Sequence, residues 1–402
     1  MRRKFLLFAF AFLLSMFGKI SAEDFIVDGI RYQIVDDYSV VVIQLGEKMR
    51  SIGDNPTYSG DITIPAVVKY NDVNYKVEGI NSYAFQYCSN LNSVTITEGV
   101  SYILDHAFAH CPNVTSITIP NSVTYIGSHA LDETAWYENQ PDGVVYAGSV
   151  AYKYKGTMQQ DTSIVLKEDI VSITESAFES CSNLVSIELP STLTEIGMNA
   201  FLGCIKLDSI SIPESVKRIG LYAFQATGWF NALPEGPIYF GSMLFGRKGI
   251  DILEDTFAIK EGTKIVNIMS FTWQSRLKTL ILPESLEIID EKAFDLCDSL
   301  SEIRSLATVP PTLFKNAFSS IIYENAILYV PAESINSYKT AEGWKDFLNI
   351  VAISGTTGVS MIDSNNVVAG YYDLSGKRIE EPQKGLNIIK YTNGQTKKLF
   401  IK

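Results

Sequence analysis

The sequence predicts a mainly β fold with short helical or irregular turns, built as a solenoid from repeats of about 23 residues. The pattern I-x-x-x-A-F-x-x-C-x-N-L-x-S-I-x-I-P-x-x-V-x-x-I recurs along the chain, with copies that begin at Ile80, Ile103, Ile173, Ile196 and, less completely, Ile289. The phenylalanine of its Ala-Phe pair returns after 23 residues, at Phe85 and Phe108 and again at Phe178, Phe201 and Phe224. A super-repeat of 93 residues relates the segment that begins at Trp136 to the one that begins at Trp229.

Each repeat contains one predicted strand. In the first copy residues 91–96 alternate between apolar and polar side chains, which is typical of a half-buried strand. Proline cannot donate to a β-ladder, and it follows the equivalent strands at Pro120, Pro190, Pro213 and Pro283. A single repeat cannot bury its own apolar side, so neighbouring repeats should stack as a parallel ladder. The spacers around Ile164 and Phe257 should add strands to it.

Residues that recur at one place in the repeat should form columns inside the solenoid. The Phe fills volume, the Ala lets backbones approach, and the Cys behaves as a small hydrophobe. All five cysteines share one slot, at Cys88, Cys111, Cys181, Cys204 and Cys297. An odd number of cysteines in a secreted protein can indicate disulfides. Side chains in one column point in parallel, however, which favours buried free thiols over a bridge between adjacent turns.

The L-x-x-L-x-L spacing, the 23-residue period and the I-x-x-x-A-F-x-x-C-x-N-L-x-S-I-x-I-P wording resemble the BspA-type leucine-rich repeat family of bacterial surface proteins. The resemblance covers residues 80–353, and the segment SINSYKTAEGWKDFLNIV near its end is similar to the last repeat of that family. It implies a leucine-rich-repeat solenoid with an adhesive or other binding role.

The solenoid is expected to lie between two smaller modules. Residues 1–22 have the basic, apolar and small-residue regions of a signal peptide. Residues 23–79 are expected to form an N-terminal β cap, with two strands at 24–35 and 39–46 and a hairpin that leads into the first repeat. Residues 80–353 form the predicted solenoid, and residues 354–402 a small C-terminal β module in which Asn393-Gly394 is the turn of a hairpin.

Three segments of the C-terminal module resemble the sorting domains of bacterial type IX secretion. They are YDLSGK at 372–377, KGLNII at 384–389 and KKLFIK at 397–402. This resemblance implies transport across the outer membrane and attachment to its exterior. Without a sorting role, the same segment would be a related terminal module.

Composition limits the classes of partner. Apolar residues make up 46% of the chain and charged residues 19%, which excludes a disordered protein. A formal net charge of −12 argues against nucleic acid and anionic lipid, and is compatible with a basic protein partner or with solubility alone. Outside the predicted signal peptide no apolar run reaches membrane length, so no transmembrane segment is predicted.

The sequence predicts no catalytic, metal or cofactor site. His106, His110 and His129 are the only histidines, and their slots hold other residue types elsewhere, which favours exposed surface over a metal site with three or four converging ligands. Nucleophile-elbow, P-loop and dinucleotide motifs are absent, and no carboxyl pair is placed for glycoside hydrolysis. We therefore expect a protein that is not an enzyme and needs no cofactor.

Two groups of residues are candidates for ligand binding. Outward positions of the strands make a row of small hydroxyl and acidic side chains: Ser93, Thr95, Ser116, Thr118, Ser186, Glu188, Ser209 and Ser211. Solenoids often use such a face for recognition, although Ser and Thr are also tolerated on a crowded ladder. Trp136 and Trp229 lie where the repeat changes, and should either fill that seam or form an aromatic platform for sugars or peptides.

These observations predict a secreted or surface-attached bacterial binding protein, adhesin-like, that recognises a host matrix protein or another cell-surface protein through the solenoid face. Many weak contacts along a rigid ladder would sum to useful affinity, and several copies on one surface would increase it. Two alternatives remain open. One is a carbohydrate-binding surface protein, which exposed aromatic side chains would favour, and the other is a structural spacer without a ligand.

Overall fold

A computed structural model describes residues 24–46, 57–249, 255–353, 368–372, 377–379, 385–391 and 396–401. The predicted signal peptide at residues 1–22 lies outside these residues. The chain divides into two compact units, residues 1–235 and residues 236–402. Both units are mainly β over their described residues, and helices are confined to short segments. The predicted fold class, a mainly β leucine-rich-repeat solenoid, is confirmed.

The strands of unit 1 are β1 (Asp24–Val27), β2 (Ile30–Asp36), β3 (Ser39–Val42), β4 (Ser59–Ile64), β5 (Val67–Tyr70), β6 (Val73–Ile80), β7 (Asn90–Ile96), β8 (Tyr102–Ile103), β9 (Ser116–Thr118), β10 (Tyr125–Ile126), β11 (Gly143–Ala147), β12 (Val150–Lys155), β13 (Thr162–Val165), β14 (Ser172–Ile173), β15 (Leu184–Glu188), β16 (Glu195–Ile196) and β17 (Arg218–Ile219). Its helices are α1 (Ala135–Glu138) and α2 (Gly228–Ala232).

The strands of unit 2 are β18 (Gly236–Phe240), β19 (Met243–Lys248), β20 (Thr256–Ala258), β21 (Ile265–Val266), β22 (Thr279–Leu282), β23 (Ile288–Ile289), β24 (Glu302–Ser305), β25 (Thr312–Leu313), β26 (Ile327–Val330), β27 (Asn349–Ala352), β28 (Val368–Tyr372), β29 (Arg378–Ile379), β30 (Gly385–Tyr391) and β31 (Thr396–Ile401). Its helices are α3 (Ser320–Asn325) and α4 (Ile335–Thr340), with 3₁₀ segments at Ala332–Ser334 and Trp344–Asp346.

The cap has one strand more than predicted. β1, β2 and β3 form an antiparallel meander, so the expectation of two strands before the hairpin is wrong. Asp28 and Gly29 turn the chain inside the first predicted strand, with φ values of 51° and 78°. Two consecutive positive φ angles belong to a type I′ turn, which Asp-Gly favours. The predicted hairpin is confirmed as β5 and β6, and β4 pairs in parallel with β7 as the first strand of a ladder.

Parallel ladders run through the repeats of both units, with a register that repeats the sequence period. In unit 1 Ile103 pairs with Ile80, and Ile117 pairs with Val94. The two spacer strands predicted from the sequence are confirmed, since β13 pairs with β15 and β20 pairs with β22. A shift of one period between paired residues keeps every buried slot of one turn next to the same slot of its neighbour.

One predicted strand does not form. Residues 207–213, with Ile210 and Ile212, have no strand conformation, although both isoleucines are half-buried. This segment lies next in sequence order after β15, which pairs only with β13 in a two-stranded sheet.

The predicted phenylalanine column is the core of the repeats. Phe85 and Phe108 stack with ring centroids 4.8 Å apart, and Phe201 lies 5.2 Å from Phe178 and 5.5 Å from Phe224. In unit 2 the centroids of consecutive column members, Phe271, Phe294 and Phe318, are 6.0 and 5.4 Å apart. Each of these rings is at most 1% exposed.

The 93-residue period corresponds to a helix followed by a hairpin. Thr134 caps α1 by accepting a hydrogen bond from the Tyr137 N–H, and Thr227 caps α2 in the same way from Phe230, both at 3.0 Å. The hairpins are β11 with β12 and β18 with β19, and each replaces one ordinary turn of its unit. Gly148 turns the first hairpin with φ of 58°, and a Cβ there would lie 2.8 Å from the Pro120 carbonyl oxygen.

The C-terminal module is a four-stranded antiparallel sheet in the order β29-β28-β30-β31. The predicted pairing of its last two strands is confirmed, with Ile388 opposite Lys398. The predicted turn residues, Asn393 and Gly394, lie outside the described residues.

We predict that Phe201→Ala lowers the free energy of unfolding by about 3–5 kcal/mol, because it removes the middle ring of a stacked triplet and leaves a cavity. Phe201→Leu should cost about 1–2 kcal/mol, since Leu131 fills the Phe slot in another turn of unit 1 and is fully buried there. Urea unfolding followed by circular dichroism measures both. Equal losses for the two variants would contradict a packing role for the ring column.

Candidate binding surfaces

The outward side chains of β4, β7 and β9 form two straight rows, here called the outward rows. They consist of Asp61, Ser93 and Ser116 in one row and Thr63, Thr95 and Thr118 in the other. Five of the six residues are exposed and Ser93 is half-buried. The apolar residues between them, such as Val94 and Ile117, point into the core. The rows therefore have the regular spacing of the parallel ladder, about 4.8 Å from strand to strand.

Hydrogen bonds between neighbouring strands, in the outward rows and in the sheet of β13 and β15, use part of the polar capacity of the outward side chains. The Ser93 hydroxyl donates to the Asp61 carboxylate at 2.7 Å, and the Ser186 hydroxyl donates to the Ser163 hydroxyl at 2.8 Å. Glu188 is exposed beside Val165, which is 65% exposed. The threonines of β7 and β9 stand next to each other as cross-strand partners. The first three strands thus present a mixed hydroxyl and carboxylate surface.

Ser209 and Ser211 do not continue these rows as strand residues. Both are exposed as predicted, but they lie in the segment 207–213 that forms no strand. Their side chains therefore lack the fixed register that β7, β9 and β15 impose on the others.

Trp136 and Trp229 are placed alike, one in each short helix. The backbone N–H of Trp136 donates to the Val114 carbonyl at 2.7 Å, and the backbone N–H of Trp229 donates to the Leu207 carbonyl at 2.8 Å. Both side chains are half-buried. Trp136 packs on the core cluster, and the Trp229 ring meets Phe224 edge to face at 5.6 Å. This packing supports the interpretation that they fill the seams, because an aromatic platform needs an open ring face.

Sequence reasoning placed the histidine slots at exposed surface but missed the left-handed corners on either side of each Ala-Phe pair, which form a third surface. The residue before the Ala and the second residue after the Phe have positive φ in nearly every turn, between 50° and 76°. These residues are Tyr83, His106, His129, Ser176, Asn199, Tyr222, Met269, Lys292 and Asn316 in the first column, and Tyr87, His110, Glu133, Ser180, Gly203, Ala226, Trp273 and Leu296 in the second. Asn and Gly in these slots are the sequence signal that could have revealed the left-handed conformation.

The corner conformation has a hydrogen-bonding cause. In the first repeat the N–H groups of Tyr83, Phe85 and Tyr87 all donate to carbonyl oxygens of the next turn, at 2.7 to 3.0 Å. The Phe and the residues two positions before and after it therefore all point their backbone N–H groups toward the next turn. Side chains at the corners point outward, and several large ones are exposed, Tyr222 by 56% and Trp273 by 70%.

In unit 1 the corners carry a cluster of stacked rings, here called the histidine corner: Tyr83, Tyr87, His106, His110 and His129. Tyr83 stacks on His106 and His106 on His129, each at 5.2 Å, and Tyr87 stacks on His110 at 4.5 Å. The interplanar angles are 15° or less. The rings thus turn their faces to one another.

Carboxylates hold two of the three imidazoles. His129 Nδ1 lies 2.8 Å from Asp132 Oδ2, and His110 Nδ1 lies 2.6 Å from Glu133 Oε2. Asp132 is itself fixed, since the Tyr152 hydroxyl and the Lys153 ammonium donate to it at 2.7 and 2.8 Å. Burial alone would raise the pKa of the Asp132 carboxyl, and the hydrogen bonds from Lys153, Tyr152 and His129 bring it below its ordinary value.

The cysteines are free thiols inside the stack. Four are buried and Cys181 is half-buried. The thiols of Cys111, Cys204 and Cys297 donate to backbone carbonyls of the preceding turn at 3.0 to 3.1 Å. Burial raises the pKa of the Cys204 and Cys297 thiols to about 12. Thiols with such values stay protonated at neutral pH and are poor nucleophiles.

Comparison with known families shows to which family the chain is related. Its sequence matches the family described as BspA type leucine rich repeat region, in six copies over residues 67–140, 148–250 and 240–341, which is more than half of the chain. The chain belongs to the BspA-type leucine-rich repeat family. The resemblance inferred from the repeat wording is thereby confirmed.

Solved structures of other leucine-rich repeat proteins are similar to this BspA-type chain. A leucine rich cell surface protein from Faecalibacterium prausnitzii is 19% identical, with 84% of this chain and 97% of that chain covered and a TM-score of 0.29. A leucine-rich repeat protein from Bacteroides ovatus is 20% identical, with 83% and 100% covered and a TM-score of 0.28. The pneumococcal vaccine antigen PcpA is 16% identical, with 84% and 100% covered and a TM-score of 0.25. No curated protein matches the chain.

Two features are absent from the described part of this BspA-type chain. None of its helices combines the length and apolar character needed to cross a membrane. In the same residues, His, Cys, Asp and Glu side chains do not gather in groups of three or more that could hold a metal ion.

We predict opposite effects for two substitutions at the corners. Gly203→Ala should lower the free energy of unfolding by about 1 kcal/mol, because an L-residue is strained at its φ of 76° although a Cβ has room there. Ala226→Gly, at φ of 59° in the same column, should leave stability unchanged or raise it by up to about 1 kcal/mol. Thermal and urea unfolding measure both, and a stabilising Gly203→Ala would contradict the backbone assignment.

We predict a pH-dependent gain from Glu175→Gln. Burial, then the neighbouring Asp105, raises the pKa of the Glu175 carboxyl, while His129 opposes the shift. A carboxyl whose pKa is raised on folding destabilises the protein where it is ionised, and this cost disappears as the pH falls below its unfolded value. The variant should therefore have a higher urea midpoint at pH 7 and the wild-type midpoint near pH 4. The exposed Glu188→Gln serves as control, and a gain of equal size at both pH values would contradict the assignment.

Proposed function

We propose that this chain is a non-catalytic, secreted or surface-attached binding protein, adhesin-like, that recognises a host or neighbouring-cell protein through the outward rows. The observation that carries the proposal is the pair of rows itself. Six outward side chains on three parallel strands, of which five are exposed, present hydroxyl and carboxylate groups at a fixed spacing above a buried core. A rigid surface loses little conformational entropy when it binds.

Charge supports a protein partner with a basic surface. The chain has a formal net charge of −12, and Asp61 and Glu188 add exposed carboxylates to the strand faces. Attraction between opposite charges raises the association rate, and salt weakens this attraction. The half-buried positions of Trp136 and Trp229 count against a sugar platform at these two residues, since sugars stack on open ring faces.

Secretion and attachment are part of the same proposal. The predicted signal peptide at residues 1–22 would direct export, and the C-terminal module would act as a type IX sorting domain that leaves the chain on the outer-membrane exterior. Its antiparallel sheet over β28–β31 is compatible with a compact terminal module. Export is tested by expressing the chain with and without residues 354–402 in a type IX-competent host, where loss of the module should stop surface display.

We predict that the purified chain binds at least one component of an array of extracellular-matrix proteins, and that binding weakens from 50 to 300 mM salt. The double variant Thr95→Arg with Thr118→Arg should reduce the affinity at least tenfold, because two long cations would stand on adjacent strands of the outward rows. Ser191→Arg, at an exposed turn outside the rows, is the matched control and should change it less than twofold.

Three outcomes would count against the proposal in different ways. Binding to glycans alone would favour the carbohydrate alternative. An unchanged affinity in the double variant would remove the outward rows as the binding surface. Absence of binding both to the matrix-protein array and to a glycan array run in parallel would favour a spacer without a ligand.

A further inference from the structure

All three histidines of the 402-residue chain stand at one place. His106, His110 and His129 occupy corner slots of consecutive turns in unit 1, on the two columns that flank the Phe core. The corresponding slots of the other turns hold Tyr, Ser, Asn, Gly or other residues. Packing therefore does not require an imidazole in these slots, and the clustering calls for another reason.

His106 and His129 have the arrangement of a ligand pair. Their rings stack with centroids 5.2 Å apart and an interplanar angle of 15°, so the two imidazoles are direct neighbours on adjacent turns. His129 Nδ1 faces the Asp132 carboxylate at 2.8 Å and must donate to it, which leaves a lone pair on Nε2. The ring nitrogens of His106 make no hydrogen bond to any residue that the structure describes.

We propose that His106 and His129 together bind one divalent transition-metal ion, such as Ni²⁺, Cu²⁺ or Zn²⁺, through one imidazole nitrogen each. Water completes the coordination, so the site is open, in contrast to a closed structural site with four protein ligands. Imidazole is a preferred ligand of these ions, whereas Mg²⁺ and Ca²⁺ prefer oxygen. The site is independent of the outward rows and of the binding role proposed for them.

The distances are compatible with this coordination. Two imidazole nitrogens at 2.0–2.1 Å from one ion are about 3–4 Å apart, depending on the angle at the metal. The ring centroids are 5.2 Å apart, and because imidazole lone pairs lie in the ring plane, both stacked rings must rotate about their side-chain bonds to face one ion. The His129 side chain is 53% exposed and has room for that motion.

Asp132 plays the part of an orienting residue. Carboxylates that accept the second N–H of a metal-binding imidazole fix its tautomer and its direction. Asp132 does this for His129 while Tyr152 and Lys153 hold the carboxylate in place. Because Lys153 already balances the charge of Asp132, the pair should select ions through its imidazoles and should not attract cations in general.

Isothermal titration of the untagged full-length chain with NiCl₂ at pH 7.5 tests the proposal, with MgCl₂ as the hard-ion control. We expect one Ni²⁺ ion per chain and no heat with Mg²⁺. His106→Asn and His129→Asn should each lower the Ni²⁺ affinity at least tenfold, and Asp132→Asn about tenfold. Asn is the matched replacement because Asn199 and Asn316 occupy the same left-handed slot.

His110→Asn is the control for a non-specific histidine effect and should change the affinity less than twofold. Circular dichroism confirms that each variant is folded before titration. Absence of Ni²⁺ binding to the wild-type chain would overturn the proposal, and so would equal affinity in His106→Asn, His129→Asn and the wild type. In a parallel NMR titration with ZnCl₂, the ring signals of His106 and His129 should shift together, and a larger shift of His110 would also overturn the assignment.

Discussion

The contact between one buried phenylalanine and the phenylalanine of the next turn is the interaction on which the repeats depend. A ring is incompressible and its neighbour lies 4.8 to 6.0 Å away, so each turn must bring its own ring back to the same place. That requirement keeps most turns at 23 residues, with 24 between Phe294 and Phe318, and places the strands in register. It also explains the corners, since the N–H groups beside Phe85 can reach the next turn only with left-handed residues on both sides of the ring.

The seams show how the stack accommodates an interruption without losing its core. Where the repeat wording fails, a capped helix brings in one tryptophan and a hairpin supplies the next strand. In unit 1 the second hairpin strand, β12, pairs in parallel with β14, so the ladder resumes after the insertion. The same device occurs twice, at a distance of 93 residues, and the threonine cap is retained each time.

The sequence alone predicts the features that recur because the same buried contacts are made in every turn. The Phe and Cys columns, the parallel strands and the hairpin of β30 and β31 all follow from spacing, because buried slots tolerate few residue types. It fails where local chemistry competes with the period. Asp28-Gly29 makes a turn inside an apolar run, and residues 207–213 have the strand pattern but form no strand. The corners were missed because Tyr83 and His106 adopt a conformation usually left to Gly or Asn, so residue type did not reveal it.

Candidate binding residues are harder to predict for the same physical reason. A slot that faces solvent has no packing constraint. Its residue type can therefore reflect either a binding role or neutral variation. The ladder and the corners nevertheless differ in what they offer a ligand. On the ladder, the hydroxyls of Ser93 and Ser186 already donate hydrogen bonds to neighbouring side chains. The polar surface that remains exposed there is suited to many weak contacts. At the corners, stacking covers the ring faces and leaves ring edges with directed lone pairs, which suits a small ligand held by few strong contacts. One fold thus separates two kinds of surface, because the period that builds the core repeats the ladder and the corners at different places of the same turn.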